Sequence, residues 1–180
     1  MFTNFDCSAY FVKDKELLIK TFSVNPEYLK TKSAGKVNDY RDWGIPLGRR
    51  FRALKLWFVI RSFGVNGLIE KIRYHISLAQ KFESWINSDG HFEMVTPRTL
   101  NLVCFRYKPS ELKDTAILNK INEQLLHELN ATGLIYLSHT KLGEIYTLRM
   151  VTGQTHVTEN HIVKAWELIK KTVKSIHRYN

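Results

Sequence analysis

Cysteine is scarce in this 180-residue chain: Cys7 and Cys104 are the only two, far apart and set among apolar neighbours. That pattern fits reduced intracellular thiols and carries no metal-ligand spacing. Long apolar runs are missing too. None approaches the roughly 20 residues that a bilayer-crossing helix needs. The opening residues Met1-Phe2-Thr3-Asn4-Phe5-Asp6-Cys7 have no basic segment leading into an apolar one, so no secretory leader and no membrane partner are expected. Seven histidines occur, but His156 and His161 have no nearby cysteine, and no set has the convergence a tetrahedral metal site requires. The sequence holds no G-x-S-x-G elbow, no Walker loop and no G-x-G-x-x-G, which removes the signatures of α/β-hydrolase, P-loop and dinucleotide sites. Acidic residues are the minority, 17 against 27 basic ones, for a net charge of +10. The basic residues are nonetheless scattered from Lys13 to Arg178 without a long block, which argues for a solvated surface and against nucleic acid as a partner.

What is present is enough to fold. Hydrophobic residues make up 44% and aromatics 12%, the composition of a soluble globular protein of one domain, or of a small domain with part of another. A cytoplasmic location is the expectation. Ala9–Val12 reads as a strand, and Glu16–Phe22 as a short helical turn. From Ser23 to Asp42 the chain is polar and aperiodic, the length of a working loop or of disorder. Arg50–Phe63 is apolar nearly all round and predicts a helix buried on several sides, with Gly64 as its stop and Asn66-Gly67 reopening the chain. Leu68, Ile72, Ile76, Ala79, Phe82 and Ile86 make one face of a second helix. Beyond it come strand candidates at Phe92–Val95 and Leu100–Tyr107. Asp114 caps a helix with the stripe Leu118, Ile121, Leu125 and Leu129. Strands follow at Leu134–His139 and Ile145–Met150 around a turn at Lys141–Glu144, and Thr158 caps a helix with the stripe Ile162, Trp166, Ile169, Val173 and Ile176. The fold class is α+β, an open-faced sandwich over residues 92–180.

Three stretches carry more than pattern. Asn4-Phe5-Asp6-Cys7-Ser8-Ala9, then Asp39-Tyr40-Arg41-Asp42-Trp43 with Ile45-Pro46-Leu47-Gly48-Arg49-Arg50-Phe51-Arg52-Ala53-Leu54-Lys55-Leu56-Trp57-Phe58, then Phe82-Glu83-Ser84 and Leu102-Val103-Cys104-Phe105-Arg106 stand in the order found in one family. Together they resemble the C-terminal part of the pyridoxal-phosphate-dependent (group II) amino-acid decarboxylases of the aromatic-L-amino-acid type. The resemblance runs over essentially the whole chain. It implies a C-terminal small domain, an antiparallel sheet with helices on one face, plus the tail of a large fold type I transferase domain. On that basis residues 1–54 are the tail, including a mobile catalytic loop over about 21–36, and residues 55–180 are linking helices and small domain. In the family, a His-Lys-Trp motif just before the Asn-Phe-Asp-Cys-Ser segment supplies the lysine that carries pyridoxal phosphate. The cofactor is therefore expected, its anchoring lysine outside this chain and no cofactor-binding residue within it. The chain alone is expected to be an inactive portion of a carboxy-lyase.

The resemblance also assigns residues. Tyr28, within Asn25-Pro26-Glu27-Tyr28-Leu29-Lys30, matches the loop position whose phenol protonates the substrate Cα after carbon dioxide leaves. A phenol with an ordinary pKa of about 10 holds that proton at neutral pH. Family members with Phe there turn to oxidative deamination, giving aldehydes. Leu47 and Gly48 match positions lining the neighbouring subunit's substrate pocket, where a missing side chain at Gly48 leaves room for a bulky ring. Arg49, Arg50 and Arg52 resemble a structural basic cluster and are not assigned to phosphate. The implied partners are an amino-acid substrate, the N-terminal part of the same enzyme and a second subunit in a homodimer. The alternatives are a non-catalytic assembly partner of a full-length decarboxylase and, below it, a basic nucleic-acid-binding domain.

Overall fold

The structure, a computed structural model, describes residues 2–24 and 37–179, and the chain divides into two compact units, Met1–Gly64 and Val65–Asn180. In the first unit Asp14 sets a helix start. Its carboxylate accepts the amides of Glu16 and Leu17 at 3.0 and 3.1 Å, and α1 (Lys15–Phe22) follows. The expected strand over Ala9–Val12 does not form; these residues are irregular, with Tyr10 and Phe11 81% and 91% exposed. A strand is held by hydrogen bonds to a neighbour, and the described residues of this unit contain no other strand. A 3₁₀ turn, Tyr40–Trp43, lies in the stretch read as aperiodic, its two end rings 5.3 Å apart.

The long helix α2 (Arg52–Ser88) joins the two helices expected here and is interrupted at Gly64, where φ is 65° and ψ is 174°. Only glycine takes that backbone without strain. Asn66 and Gly67 do not reopen the chain but are helical. The roughly 1 kcal/mol that a helical glycine costs is smaller than what burying Leu68, Leu78 and Phe82 returns. Before the break, the expected burial on several sides is absent: Trp57 and Phe58 remain 53% and 58% exposed.

The second unit is built on β1 (Phe92–Met94), β2 (Leu102–Tyr107), α3 (Thr115–Ala131), β3 (Ser138–Leu142), β4 (Ile145–Val151) and α4 (Glu159–Tyr179). The four strands form one antiparallel sheet in the order β1-β2-β4-β3, with Phe92 opposite Tyr107 and Phe105 opposite Leu148. Alternation along β2 and β4 sends Val103, Phe105, Tyr107, Tyr146, Leu148 and Met150 into the core. Both predicted helix stripes, Leu118 to Leu129 and Ile162 to Ile176, are buried against them. Phe82 is their hub, its ring 5.4 Å from Phe105 and 5.6 Å from Trp166 in edge-to-face contacts.

Buried polar side chains tie the elements of this unit together. Asn122, fully buried, accepts the Tyr107 amide at 2.7 Å and donates to the carbonyls of Tyr107 and Leu118, tying α3 to β2. Asp114 caps α3 as expected, accepting from Ala116 and Ile117. At α4, Thr158 is assisted by an unforeseen partner: His161 Nδ1 accepts the Thr158 amide at 3.0 Å. The third strand begins later than predicted, at Ser138 and not Leu134, because Asn130 on α3 holds both the amide and the carbonyl of Leu137. That clamp keeps the preceding residues out of the ladder, leaving Leu134 and Tyr136 exposed.

Candidate functional site

Asp6 is the centre of the first unit's candidate site. It receives Arg52 Nε at 2.8 Å and lies 3.8 Å from Lys55 Nζ, while Cys7 Sγ contacts the Arg52 carbonyl at 3.9 Å. The hydrogen bond from Arg52 is the main reason the Asp6 carboxyl is held below its ordinary value. Two stretches some 45 residues apart in sequence, Asn4–Ala9 and Ile45–Phe58, are thus fastened to each other. Nothing in the local pattern of either stretch announces that pair.

Around the Asp6–Arg52 pair lie two shallow recesses. One, of about 230 Å³, is lined by Asp6, Cys7, Ser8, Pro46, Arg49 and Arg52. The other, of about 280 Å³, includes Phe5, Phe51, Leu54 and Phe58. Leu47 is 59% exposed and Gly48 stands beside it on the surface; a Cβ built on Gly48 meets no atom within 4 Å. Gly44, by contrast, sits under Arg49, whose Nη2 would lie 2.5 Å from an added Cβ. Tyr28 lies outside the described residues; Pro46 and Arg49, which flank Leu47 and Gly48 in sequence, line the first recess, whereas Leu47 and Gly48 are not among the described residues lining either one.

In the second unit the helix-free face of the sheet is polar. Arg106, only 6% exposed, gives Nε to Glu93 Oε1 at 2.6 Å, and Lys108 takes Oε2 at 2.6 Å. Arg106 Nη1 has no acceptor among the described residues. Arg149 joins this face by alternation with Leu148 and Met150. Burial works against the charge on Glu93, but the hydrogen bonds from Lys108 and Arg106 outweigh it and hold the carboxyl below its ordinary 4.5. A depressed acid stabilises the fold above its unfolded value and ceases to do so as pH falls through its folded one. Melting temperature is therefore expected to drop as pH is lowered from 4.5, and Glu93→Gln to flatten that limb. The difference should be no more than about 1 kcal/mol, because the carboxylate is one-third exposed and screened. A variant with an unchanged acid limb would rule the cluster out as its source.

Residues 1–108 match the pyridoxal-dependent decarboxylase conserved domain. The chain belongs to that family. Among decarboxylase relatives, it is 48% identical over 170 residues to tryptophan decarboxylase 2 of Oryza sativa subsp. japonica, covering 93% of this chain and 34% of that protein. Tyrosine decarboxylase 4 of Petroselinum crispum is 47% identical over 173 residues, covering 93% of this chain and 34% of its own length. Phenylacetaldehyde synthase of a Rosa hybrid cultivar is 41% identical over 184 residues, with 98% and 36% covered. The crystal structure of Oryza sativa TDC with PLP and tryptamine superposes with a TM-score of 0.84 at 39% identity, over 92% of this chain and 35% of that one. The decarboxylase family is pyridoxal-dependent, this chain's α+β arrangement matches the corresponding part of a solved member, and this chain spans about a third of the length of the curated relatives it matches. No helix among the described residues is long and apolar enough to cross a membrane.

Proposed function

We propose that this chain is the C-terminal portion of a cytoplasmic carboxy-lyase that converts an aromatic L-amino acid into its amine and carbon dioxide. The observation that carries the reading is the likeness over 93% of the chain to a tryptophan decarboxylase, with similar identity to a tyrosine decarboxylase. In this reading residues 1–54 are the tail of the cofactor domain and residues 55–180 the linking helices and small domain. Bound pyridoxal phosphate supplies an electron sink for the pair left by departing carbon dioxide. The family's anchoring motif is missing from this sequence, and three of its lysines are already paired. Lys55, Lys81 and Lys108 are engaged as ammonium groups with Asp6, Glu159 and Glu93, and the sequence contains no His-Lys-Trp. In this reading the anchoring lysine belongs to an N-terminal part.

What this chain contributes is a proton and a wall. Tyr28, on the loop over about 21–36, donates its phenolic proton to the substrate Cα and shuts out water as the loop closes. Leu47 and Gly48 face the substrate ring of the second subunit of a homodimer, and the open space at Gly48 admits a large ring. Two surfaces support the need for a partner. The first unit exposes Phe5, Phe51, Trp57 and Phe58, a cluster too apolar to be left in water. The sheet face of the second unit carries Arg106, Lys108 and Arg149 against the single carboxylate of Glu93, which suits an acidic partner surface.

The test replaces the matched third of the rice tryptophan decarboxylase with this chain. The chimaera, supplied with pyridoxal phosphate, is expected to release carbon dioxide from an aromatic L-amino acid, and the chain alone to release none. A folded chimaera that binds pyridoxal phosphate yet releases none would sink the decarboxylase reading. Carbon dioxide release by the chain alone would sink the claim that the anchoring lysine lies elsewhere.

A further inference from the structure

A recess of about 330 Å³ opens between the β1 edge of the sheet and α4, and none of the residues given a part in the reaction lines it. Its floor is apolar: Phe92, Tyr107 and Val173 are each more than nine-tenths buried, and the rings of Phe92 and Tyr107 meet edge to face at 5.3 Å. Its rims carry opposite charge. Along α4, Lys170 and Lys174 stand one turn apart and line the same side, the Lys170 ammonium lying 5.4 Å from the centre of the Trp166 ring. On the other side the turn after α2 presents Asp89, whose Oδ1 takes the His91 amide at 3.1 Å and faces His91 Nδ1 at 3.3 Å. The acidic character of this end extends inward: burial is the chief cause that raises the Tyr107 phenol above its ordinary pKa, and Glu111 and Asp89 add to it.

An apolar floor between a basic and an acidic rim, at the lower end of the volumes usual for small-molecule sites, selects a ligand with the same three parts. We propose that this recess binds an aromatic amino acid as its zwitterion, the ring on Phe92 and Tyr107, the carboxylate at Lys170 and Lys174, and the ammonium towards Asp89. The ligand class follows from the recess alone. That the ligand is also the enzyme's substrate, bound at a second place, rests on the function proposed above. The corresponding amine lacks the carboxylate and the corresponding acid lacks the ammonium, so the site separates substrate from product by charge.

The experiment titrates the full 180-residue chain with L-tryptophan, tryptamine and indole-3-propanoate while following backbone amide shifts by NMR. It needs no catalysis, so an inactive chain still decides it, and failure of the decarboxylase reading leaves the result intact. L-tryptophan is expected to shift the amides around Phe92, Tyr107 and Val173. Each single-charge analogue should bind up to about fivefold more weakly, the worth of one exposed ion pair. In the double variant Lys170→Ala/Lys174→Ala, affinity for L-tryptophan should fall by about that factor, with tryptamine unaffected. Lys174 is exposed, whereas Lys170 is half-buried with its ammonium 5.4 Å from the centre of the Trp166 ring, so a thermal melt checks that the fold is kept. Equal affinity for the three ligands, an unmoved recess, or a double variant that binds L-tryptophan as before would overturn the proposal.

Discussion

Exchange of Tyr28 for Phe in the rice chimaera is expected to lower amine formation by about 10²–10⁴-fold, the range over which a positioned general acid acts. The substitution deletes the phenolic oxygen with its proton and leaves the ring. The loss should therefore fall on kcat, with KM little changed. Product should shift as well. A phenylacetaldehyde synthase stands among the relatives at 41% identity, beside decarboxylases at 47–48%. The family tendency is for Phe at this loop position to accompany aldehyde formation, and the variant is accordingly expected to yield aldehyde with uptake of oxygen. Amine release within about twofold of the parent would remove Tyr28 from the reaction and leave it an ordinary loop tyrosine.

The largest effect on stability is expected at Phe82. Its side chain is fully buried and touches rings from β2 and α4, as well as Trp85 on its own helix. Truncation to Ala removes those contacts and leaves a void that Phe105 and Trp166 cannot fill without leaving their rotamers. A loss of about 3–5 kcal/mol follows, enough to unfold a marginal domain. Phe82→Leu, which keeps most of the volume, should cost well under half as much. Denaturant melts of the two variants compare them directly. Equal and small losses would mean that the second unit does not pack around this ring.

The periodic part of this molecule was readable without its coordinates. In α3 and α4 every predicted stripe residue is buried, because a 3.6-residue repeat specifies both the helix and the face it hides, and in α3 the Asp114 cap also marks the start. The errors arose where a distant group decides. Asn130 delays β3 by clamping Leu137, and no strand propensity in Leu134–Leu137 registers that. Tyr10 and Phe11 have the composition of a strand but lack a strand neighbour among the described residues of their unit. The Asp6–Arg52 pair is legible only as two halves of a family pattern, since an ion pair across 46 positions leaves no periodic trace. The site itself divides likewise. An added Cβ on Gly48 meets no atom of this chain within 4 Å, but the parts given to Leu47, Gly48 and Tyr28 all rest on the family resemblance.

The sheet's borders bear on how this polypeptide self-associates. One border strand, β1, is three residues long, and the other, β3, carries Lys141 along a half-exposed, polar run. Short and charged margins are poor templates for adding further strands. Clumps formed when the chain is made by itself should thus grow through greasy helix surfaces into amorphous, dye-negative precipitate, not into amyloid fibrils.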